Sequence, residues 1–399
     1  MQISLQKLPT RLCYGGKGDM RRYNAIVAVL LVTVVAGCGK NSTESHPVQG
    51  LWNPSTPQAQ GMNAQLLDSA FIVAEASGFI DGLVVIRNGF LVAEDYYNGF
   101  DKTLPHNVRS VSKSFLSAIT GIALDQGYLD SLGEKVLDYF PEYIYPGIDT
   151  LKYDITLEHL LTMRMGMKGE DADGYAEYRR LYNSDNWIKT TIESPLAYIP
   201  GQRMSYNTFQ THLLSGIITK ATGKSTRDYA ADCLLNPLKI CVDSWEQDPQ
   251  GIYFGGNSMH FTPQEMAVLG WLYLNDGRLH GVQIVPSAWV ELTLSPSTDF
   301  THPNEWGEFK NYNYAFLWWL GEIGGHAMFL AYGYGGQFVA TFPDLNLVVV
   351  STAEDSVDPD TSTVQEFAIF DIMAHYIVPS AAGSVSGPAI AAHTLPSVR

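Results

Sequence analysis

The spacing of apolar residues along the chain changes from alternation to helical periodicity and then back to alternation. After a helix candidate at 62–77, the segment LVVIRNGFLVAEDYY holds two β-rich runs separated by Asn88-Gly89. This arrangement predicts a β-hairpin with a two-residue turn. From about 130 to 295 the pattern is mostly helical with frequent breaks, and one helix is expected to begin at the capping box Thr262–Glu265.

Strand patterns return in the last third of the chain, in YAFLWWL, HAMFLAYGYGGQFVATF and LNLVVVST, and a helix is predicted for 362–376. Because β patterns occupy both ends and helices fill the middle, the predicted fold class is α+β. We expect an antiparallel sheet assembled from both chain ends and flanked by helices, with a mostly helical insertion at about 130–295. The domain is expected to cover residues 61–378.

The N-terminal region resembles a bacterial lipoprotein signal. Arg21 and Arg22 precede an apolar run that is too short for a confident membrane span and ends in Val-Ala-Gly-Cys at Cys38. This pattern predicts an upstream extension and signal peptide over 1–37, with Cys38 lipidated; an uncleaved anchor helix is the alternative. Gly39 after the cysteine resembles outer-membrane sorting, so the expected location is the bacterial envelope, lipid-anchored and facing the periplasm.

The polar, Pro-rich segment 38–60 is predicted to be a tether, and 379–399 a loose tail.

Two cysteines, Cys233 and Cys241, lie between these two segments. An oxidising compartment would allow a disulfide between them, and two free thiols are the alternative.

The charge of the chain excludes one class of partner. The formal net charge is −16, and removal of residues 1–37, with five basic side chains and one acidic, would take it to about −20. With no basic stripe in the sequence, we expect no nucleic-acid binding. The histidines and cysteines form no recognisable metal motif, so neither a metal nor a cofactor is expected.

The segment HNVRSVSKSFLSAITGIALDQG at 106–127 carries four serines within eight residues and one lysine. On a helix, Ser110, Lys113 and Ser114 share a face, and a second face is apolar. A buried lysine has a lowered pKa, and a neutral amine one turn from a serine can take that serine's proton. Ser110 and Lys113 are therefore candidate nucleophile and base, although close packing of small residues is an alternative explanation.

The run from about 60 to 378 resembles the serine β-lactamase and penicillin-binding-protein family. The similarity lies in the hairpin, Ser-x-x-Lys at 110–113, ITLEHLLTM, PLAYIPGQRMSYNT, HLLSGIITKATGKS, LLNPLKI and HFTPQEMAVLGWLYLNDG. It is greatest to the branch of class C β-lactamases, D,D-peptidases, esterases and 6-aminohexanoate-dimer hydrolases. The resemblance implies a β-lactamase/transpeptidase-like fold.

The resemblance also assigns further site residues. Tyr206 matches the family's proton-shuttling tyrosine, and Thr208 occupies the usual asparagine position, where the resemblance implies contact with the substrate. We expect Lys113 to lower the pKa of Tyr206. The family's third motif aligns with Ala331-Tyr332-Gly333, where the usual basic residue is absent. The resemblance implies that the N–H groups of Tyr334 and Ser110 form the oxyanion hole.

The expected function is hydrolysis of a small ester or amide through an acyl-enzyme. Two alternatives stay open: a lipoprotein that only binds or senses cell-wall fragments, and a β-lactamase or D,D-peptidase. The expected partner is a small molecule, membrane contact is through the lipid anchor only, and the oligomeric state is undetermined.

Overall fold

The structure is a computed structural model that describes residues 50–296 and 305–383. Cys38, the predicted signal segment 1–37, and most of the predicted tail lie outside the described residues. The strands are β1 Asn53–Pro54, β2 Ile80–Arg87, β3 Phe90–Tyr96, β4 His106–Asn107, β5 His260–Phe261, β6 Arg278–Leu279, β7 Val282–Gln283, β8 Glu305–Trp306, β9 Phe309–Ala315, β10 Trp318–Ile323, β11 His326–Gly333, β12 Gln337–Phe342 and β13 Leu347–Ala353.

The α-helices are α1 Ala64–Ser77, α2 Val111–Asp125, α3 Val136–Tyr139, α4 Leu157–Leu161, α5 Ala176–Tyr182, α6 Trp187–Glu193, α7 Thr208–Thr222, α8 Thr226–Ala230, α9 Asn236–Leu238, α10 Pro263–Leu274, α11 Ser287–Thr293, α12 Pro359–Ile372 and α13 Val378–Ala381. Short 3₁₀ segments lie at Gln58–Gln60, Pro141–Tyr143, Thr150–Asp154 and Pro343–Leu345. Single π-turns lie at Ala231–Leu235 and Met373–Ile377. Among these described residues, no helix has the length and apolarity needed to cross a membrane.

A nine-stranded sheet in the order β1-β3-β2-β13-β12-β11-β10-β9-β8 forms the centre of the fold. The N-terminal β2 and the C-terminal β13 are antiparallel neighbours in its middle, with Leu83 opposite Ser351. The predicted α+β class, with a sheet built from both chain ends, is therefore confirmed. The predicted hairpin forms as β2 and β3, and both Asn88 and Gly89 have positive φ, as a type I′ turn requires.

Two apolar cores cover the two faces of the sheet. On one face α2, α10 and the helices of the insertion pack in a large core that includes Phe115, Phe209 and Trp318. On the other face α1 and α12 pack over residues such as Leu330 and Phe338. The helix α2, which carries Ser110 at its start, is buried over nearly its whole length. Such enclosure fixes the position of that helix beside the sheet.

One sequence expectation differs from the structure, and one open alternative is decided by it. Asn53–Pro54, within the segment predicted as a tether, pairs in parallel with β3, because an edge strand still offers unpaired backbone groups to the preceding chain. Cys233 carries a free thiol, so the disulfide considered between Cys233 and Cys241 is absent. Cys233 lies in the π-turn after α8, where burial raises its pKa to about 12 and its side chain hydrogen-bonds Tyr229.

Candidate active site

Ser110 stands at the N-terminus of α2, in a tightly held connection from β4. The preceding residue, Arg109, has a left-handed backbone with φ of 49°, which is uncommon for a non-glycine residue. Its Nε lies 2.8 Å from Oδ2 of Asp355, just beyond β13, and its guanidinium also donates to the Asp355 carbonyl. The ion pair therefore ties the residue before Ser110 to the end of a central strand. At a helix start, Ser110 lies where the helix dipole favours negative charge.

Lys113 lies one turn along α2, and only 1% of its surface is exposed. Its Nζ lies 2.7 Å from Ser110 Oγ, 3.0 Å from Thr208 Oγ1 and 2.7 Å from the Gly256 carbonyl oxygen. Burial lowers the pKa of Lys113 to about 8, and the nearby carboxylate of Glu170 opposes this shift. The structure thus brings the predicted nucleophile and base into direct contact, and the pKa of the base lies close to neutral pH.

The other serines of α2 serve its packing. Ser112 Oγ accepts a hydrogen bond from the Met259 N–H at 3.3 Å, and Ser114 Oγ donates to the Leu317 carbonyl at 2.8 Å. Both are buried, whereas Ser110 is partly exposed. Ser110 is the one of these three serines that combines contact with Lys113 and access from solvent.

Tyr206 joins the pair from the segment that leads into α7. Its ring centroid lies 5.0 Å from Lys113 Nζ, and its side chain hydrogen-bonds Ser110. Contrary to the sequence expectation, the pKa of Tyr206 is raised, because burial is the largest influence and Glu170 adds to it. The phenol is therefore protonated at neutral pH, which suits it to donate a proton.

Thr208, predicted to contact substrate, is the first residue of α7 and connects Lys113 to the carboxylate of Glu170. Glu170 was not predicted from the sequence. The Thr208 hydroxyl accepts from Lys113, and the Thr208 N–H donates to Glu170 Oε2 at 2.7 Å. Glu170 is partly exposed, although its carboxylate lies deep in the fold and burial raises its pKa. It comes from the loop GEDADG, where no local pattern sets it apart from its acidic neighbours.

The second unpredicted contributor is the backbone at Gly255-Gly256. A Cβ on Gly256 would overlap Thr211 Oγ1 and lie 2.8 Å from Thr208 Cγ2. Only glycine therefore allows the Gly256 carbonyl to approach Lys113 this closely. The adjacent glycine pair in FGGNS is the signal that could have indicated a close backbone approach.

The predicted oxyanion residues lie at the end of β11. A Cβ on Gly333 would lie 2.5 Å from the carbonyl oxygen of Val108, so this strand end abuts the segment that leads to Ser110. Among the described residues, neither the Ser110 N–H nor the Tyr334 N–H donates to a protein acceptor. Two unpaired backbone donors near a nucleophile are what an oxyanion site requires.

A group of aromatic rings lies beside Tyr206. Tyr206 stacks on Trp319 with centroids 6.0 Å apart, and Trp319 in turn contacts Tyr332 at 6.0 Å. All three are partly exposed, whereas Trp318 and Phe329 from the same strands are buried in the core. Of the aromatic residues in this region, Tyr206, Trp319 and Tyr332 are therefore the ones that an apolar substrate group could contact.

Two further groups of ionisable side chains occur in the structure. His326, at the start of β11, pairs with Asp344 at 2.6 Å. The sequence contains no recognisable metal-binding motif. The fold nevertheless brings possible ligand atoms of Glu308, Asp371 and His375 within 4.8 Å of one another. Asp371 and His375 are exposed. Asp371 and His375 are four residues apart, but Glu308 lies far from both in the sequence, so no local motif links all three.

Comparison with known proteins identifies the family. The sequence profile described as Beta-lactamase matches residues 74–373. A 6-aminohexanoate-dimer hydrolase of Paenarthrobacter ureafaciens is 25% identical over 300 residues, which cover 70% of this chain and 74% of that protein.

Solved structures agree on the fold. EstCE1, a hydrolase with promiscuous acyltransferase activity, superimposes with a TM-score of 0.63 at 16% identity, covering 80% of this chain and 99% of that one. A penicillin-binding protein from Bacillus halodurans gives 0.58 at 15% identity, covering 76% and 98%. Since the family profile spans most of the domain, the chain belongs to the Beta-lactamase family.

Proposed function

We propose that the protein is a serine hydrolase that cleaves a small ester or amide through an acyl-enzyme on Ser110. The observation that carries the proposal is the environment of Lys113. Its buried amine lies 2.7 Å from the Ser110 hydroxyl and has a pKa of about 8. A base with a pKa near the working pH is the arrangement that general base catalysis favours.

In the first half of the reaction, the neutral amine of Lys113 takes the proton of Ser110 as Oγ attacks the substrate carbonyl carbon. The N–H groups of Ser110 and Tyr334 stabilise the oxyanion that forms. The protonated phenol of Tyr206 then donates its proton to the leaving alkoxide or amine. Lys113, 5.0 Å from the Tyr206 ring centroid, returns a proton to the phenolate.

In the second half, water replaces the leaving group and follows the same proton path in reverse. Tyr206 passes its proton to the neutral amine of Lys113 as the phenolate oxygen takes one from the water, whose oxygen attacks the acyl carbon. Lys113 then returns that proton to Ser110 Oγ as the acyl–oxygen bond breaks. The products are a carboxylic acid and free enzyme. Lys113, Tyr206 and Ser110 carry all the proton transfers in both halves of this reaction.

The substrate class follows from the groups around the nucleophile. Ala331 occupies the family's basic position, and a methyl side chain offers neither a charge nor a hydrogen-bond donor to a substrate carboxylate. Glu170 adds a negative charge beside Lys113. Neutral esters and amides are therefore favoured over penicillins and peptidoglycan stems, whose carboxylates would meet no cation at this position.

Burst kinetics separate the hydrolase from a protein that only binds wall fragments. Excess p-nitrophenyl butyrate should release about one equivalent of nitrophenol per protein before steady turnover, and Ser110→Ala should abolish both phases. Wild-type protein that binds the ester without releasing nitrophenol would support the binding alternative. A preference for a cephalosporin would instead support the β-lactamase alternative.

We also propose that Cys38 is lipidated and anchors the domain in the cell envelope, facing the periplasm. The basis is the Val-Ala-Gly-Cys sequence after an apolar run. Wild-type protein should enter the detergent phase of a Triton X-114 partition, and Cys38→Ser should stay uncleaved and unlipidated by mass. Equal masses for the two, apart from the substitution, would exclude lipidation.

A further inference from the structure

Glu366 in α12 is a buried carboxylate that takes no part in the steps above. Only 2% of its surface is exposed. Four groups donate to it: the Tyr332 hydroxyl at 2.5 Å, the Ser362 hydroxyl at 2.9 Å, the Gly335 N–H at 3.1 Å and Trp306 Nε1 at 3.1 Å. Each carboxylate oxygen therefore accepts hydrogen bonds from two neutral donors.

This carboxylate has no cationic partner among the residues that the structure describes. Burying an anion with neutral donors alone is costly, and an apolar side chain of similar volume could often replace such a group without loss of stability. Stability alone is therefore a poor explanation for the network, and the position of the donors suggests another.

Two of the four donors flank Tyr334. The Tyr332 side chain precedes it at the end of β11, and the Gly335 N–H follows it in the turn to β12. The turn is also confined on its other side, because Gly333 packs against the Val108 carbonyl. Glu366 and the segment before Ser110 thus hold the turn between them.

The hydrogen bonds of the turn leave one donor unpaired. The Gly335 N–H donates to Glu366 and to Ser362 Oγ, and the Gly336 N–H donates to the Gly333 carbonyl. Within the described part of the chain, the Tyr334 N–H has no acceptor. Both glycines have positive φ, 79° and 98°, so the turn is a specific backbone conformation rather than a continuation of the strand.

We propose that Glu366 is a positioning residue that fixes this turn, so that the Tyr334 N–H is held ready for the oxyanion. The proposal rests on the acyl-enzyme function described above. Glu366 acts through the Tyr332 hydroxyl and the Gly335 N–H and does not itself touch the substrate. Because the oxyanion develops as the carbonyl is attacked and is absent from the bound substrate, loss of this positioning should slow acylation with little effect on substrate binding.

The test is single-turnover acylation by p-nitrophenyl butyrate, which yields an acylation rate and a binding constant separately. Glu366→Leu removes all four acceptor contacts at similar volume. Removing an oxyanion donor costs roughly 100- to 1,000-fold, and misplacing one should cost less, so we expect a rate about 10- to 100-fold lower. The binding constant should stay within about threefold of wild type.

Trp306→Phe is the matched control, since it removes a donor to the same carboxylate that lies outside the turn. Its acylation rate should stay within about threefold of wild type, because the contacts to Tyr332 and Gly335 remain. If Glu366→Leu does not fold, Ser362→Ala takes its place. That change removes the hydroxyl that accepts from the Gly335 N–H and donates to Glu366, and it should lower the acylation rate about 3- to 10-fold.

Wild-type acylation rates in a folded Glu366→Leu protein would overturn the inference. So would an equal loss of rate in Trp306→Phe, or an unchanged rate in Ser362→Ala where that variant is the one tested. A wild-type protein that forms no acyl-enzyme would contradict the proposed function itself, and the role of Glu366 with it. A wild-type burst together with unaffected variants would contradict the role of Glu366 alone.

Discussion

The three contacts of Lys113 indicate which protonation state its surroundings accommodate. The Gly256 carbonyl can only accept a hydrogen bond, and the Thr208 hydroxyl accepts one from Nζ. The Ser110 hydroxyl is the third acceptor, so the three N–H donors of an ammonium are all matched; loss of one proton leaves a lone pair that can accept from the Ser110 hydroxyl. The pair at 110 and 113 could be predicted because three-residue spacing on a helix is a local pattern. Glu170 and Gly256 could not, because only the tertiary fold brings them to Lys113.

Removing either proton carrier should leave a folded but impaired protein. We expect Lys113→Ala and Tyr206→Phe each to lower kcat by about 100-fold or more, the scale typical of general acid–base groups. Tyr206→Phe deletes only a hydroxyl, so the thermal midpoint serves as the control for folding. Wild-type turnover in Tyr206→Phe would assign this tyrosine to packing.

The dependence of activity on pH should follow Lys113. Burial lowers its pKa from the ordinary value to about 8, so the reactive neutral amine becomes more abundant as pH rises through that value. We expect kcat/KM for p-nitrophenyl butyrate to rise between pH 6 and 9 with a midpoint near 8. Rates corrected for spontaneous hydrolysis give the midpoint.

The Glu170→Gln variant tests whether the charge of Glu170 influences this midpoint. The Glu170 charge favours protonated Lys113, so its removal should lower the pKa of Lys113 and move the midpoint to lower pH. Glu177→Gln, on the surface and paired with Arg180, is the control and should leave the midpoint in place. A higher midpoint in Glu170→Gln would contradict the electrostatic account.

At the scale of elements, local signals predicted the start of a helix or the turn of a hairpin well. The Asn88-Gly89 turn and the Thr262–Glu265 capping box both form as predicted, because each depends on residues within a few positions. The pairing of β1 with β3 was missed, because a two-residue edge strand in a Pro-rich segment has no periodicity to detect. The pKa of Tyr206 was missed for a similar reason, since burial is a property of the fold.

The loop that carries Gly256 should be intolerant of any side chain. Gly256→Ala would overlap Thr211 Oγ1 and displace the carbonyl that accepts from Lys113. We expect a loss of about 1–3 kcal/mol in unfolding free energy, the usual cost of overpacking. The kcat should fall by about tenfold, in line with loss of one hydrogen bond to a charged group.

Gly133→Ala is the matched control for this substitution. Its added Cβ would lie 3.6 Å from Ser131 Oγ, an ordinary contact, and Gly133 is exposed and is not one of the hydrogen-bond partners of Lys113. Urea unfolding and steady-state kinetics measure both effects. Equal behaviour of the two alanine variants would show that the close approach at Gly256 is unimportant.

At the scale of the whole molecule, the sheet built from both chain ends could be predicted because β patterns stand at both ends of the sequence. The same sheet carries the Gly333–Gly336 turn to the segment before Ser110, over 200 residues away in the sequence. The set of hydrogen-bond donors around Glu366 could not be predicted from the sequence. These come from β8, β11, the following turn and α12, and only their packing brings them together.

The overall charge and the missing cation together predict substrate preference. The formal net charge is −16, and two basic residues that could replace the missing cation are already engaged: Lys310 lies 3.2 Å from Glu308, and Arg203 stacks on Tyr198. A charge-assisted hydrogen bond is worth about 1.5–3 kcal/mol, or roughly 10- to 150-fold. We therefore expect kcat/KM for p-nitrophenyl butyrate to exceed that for a chromogenic cephalosporin by at least about tenfold. A cephalosporin preferred by about 100-fold would mean that another cation serves.

The central claim, an acyl-enzyme on Ser110, is tested most directly by intact-mass measurement after treatment with a fluorophosphonate. Wild type, Ser112→Ala and Ser114→Ala should each gain the mass of one phosphonyl group, and Ser110→Ala should gain none. Ser112 and Ser114 are suitable controls because they lie on the same helix in packing contacts. Labelling that persists in Ser110→Ala and disappears in Ser112→Ala would contradict the account.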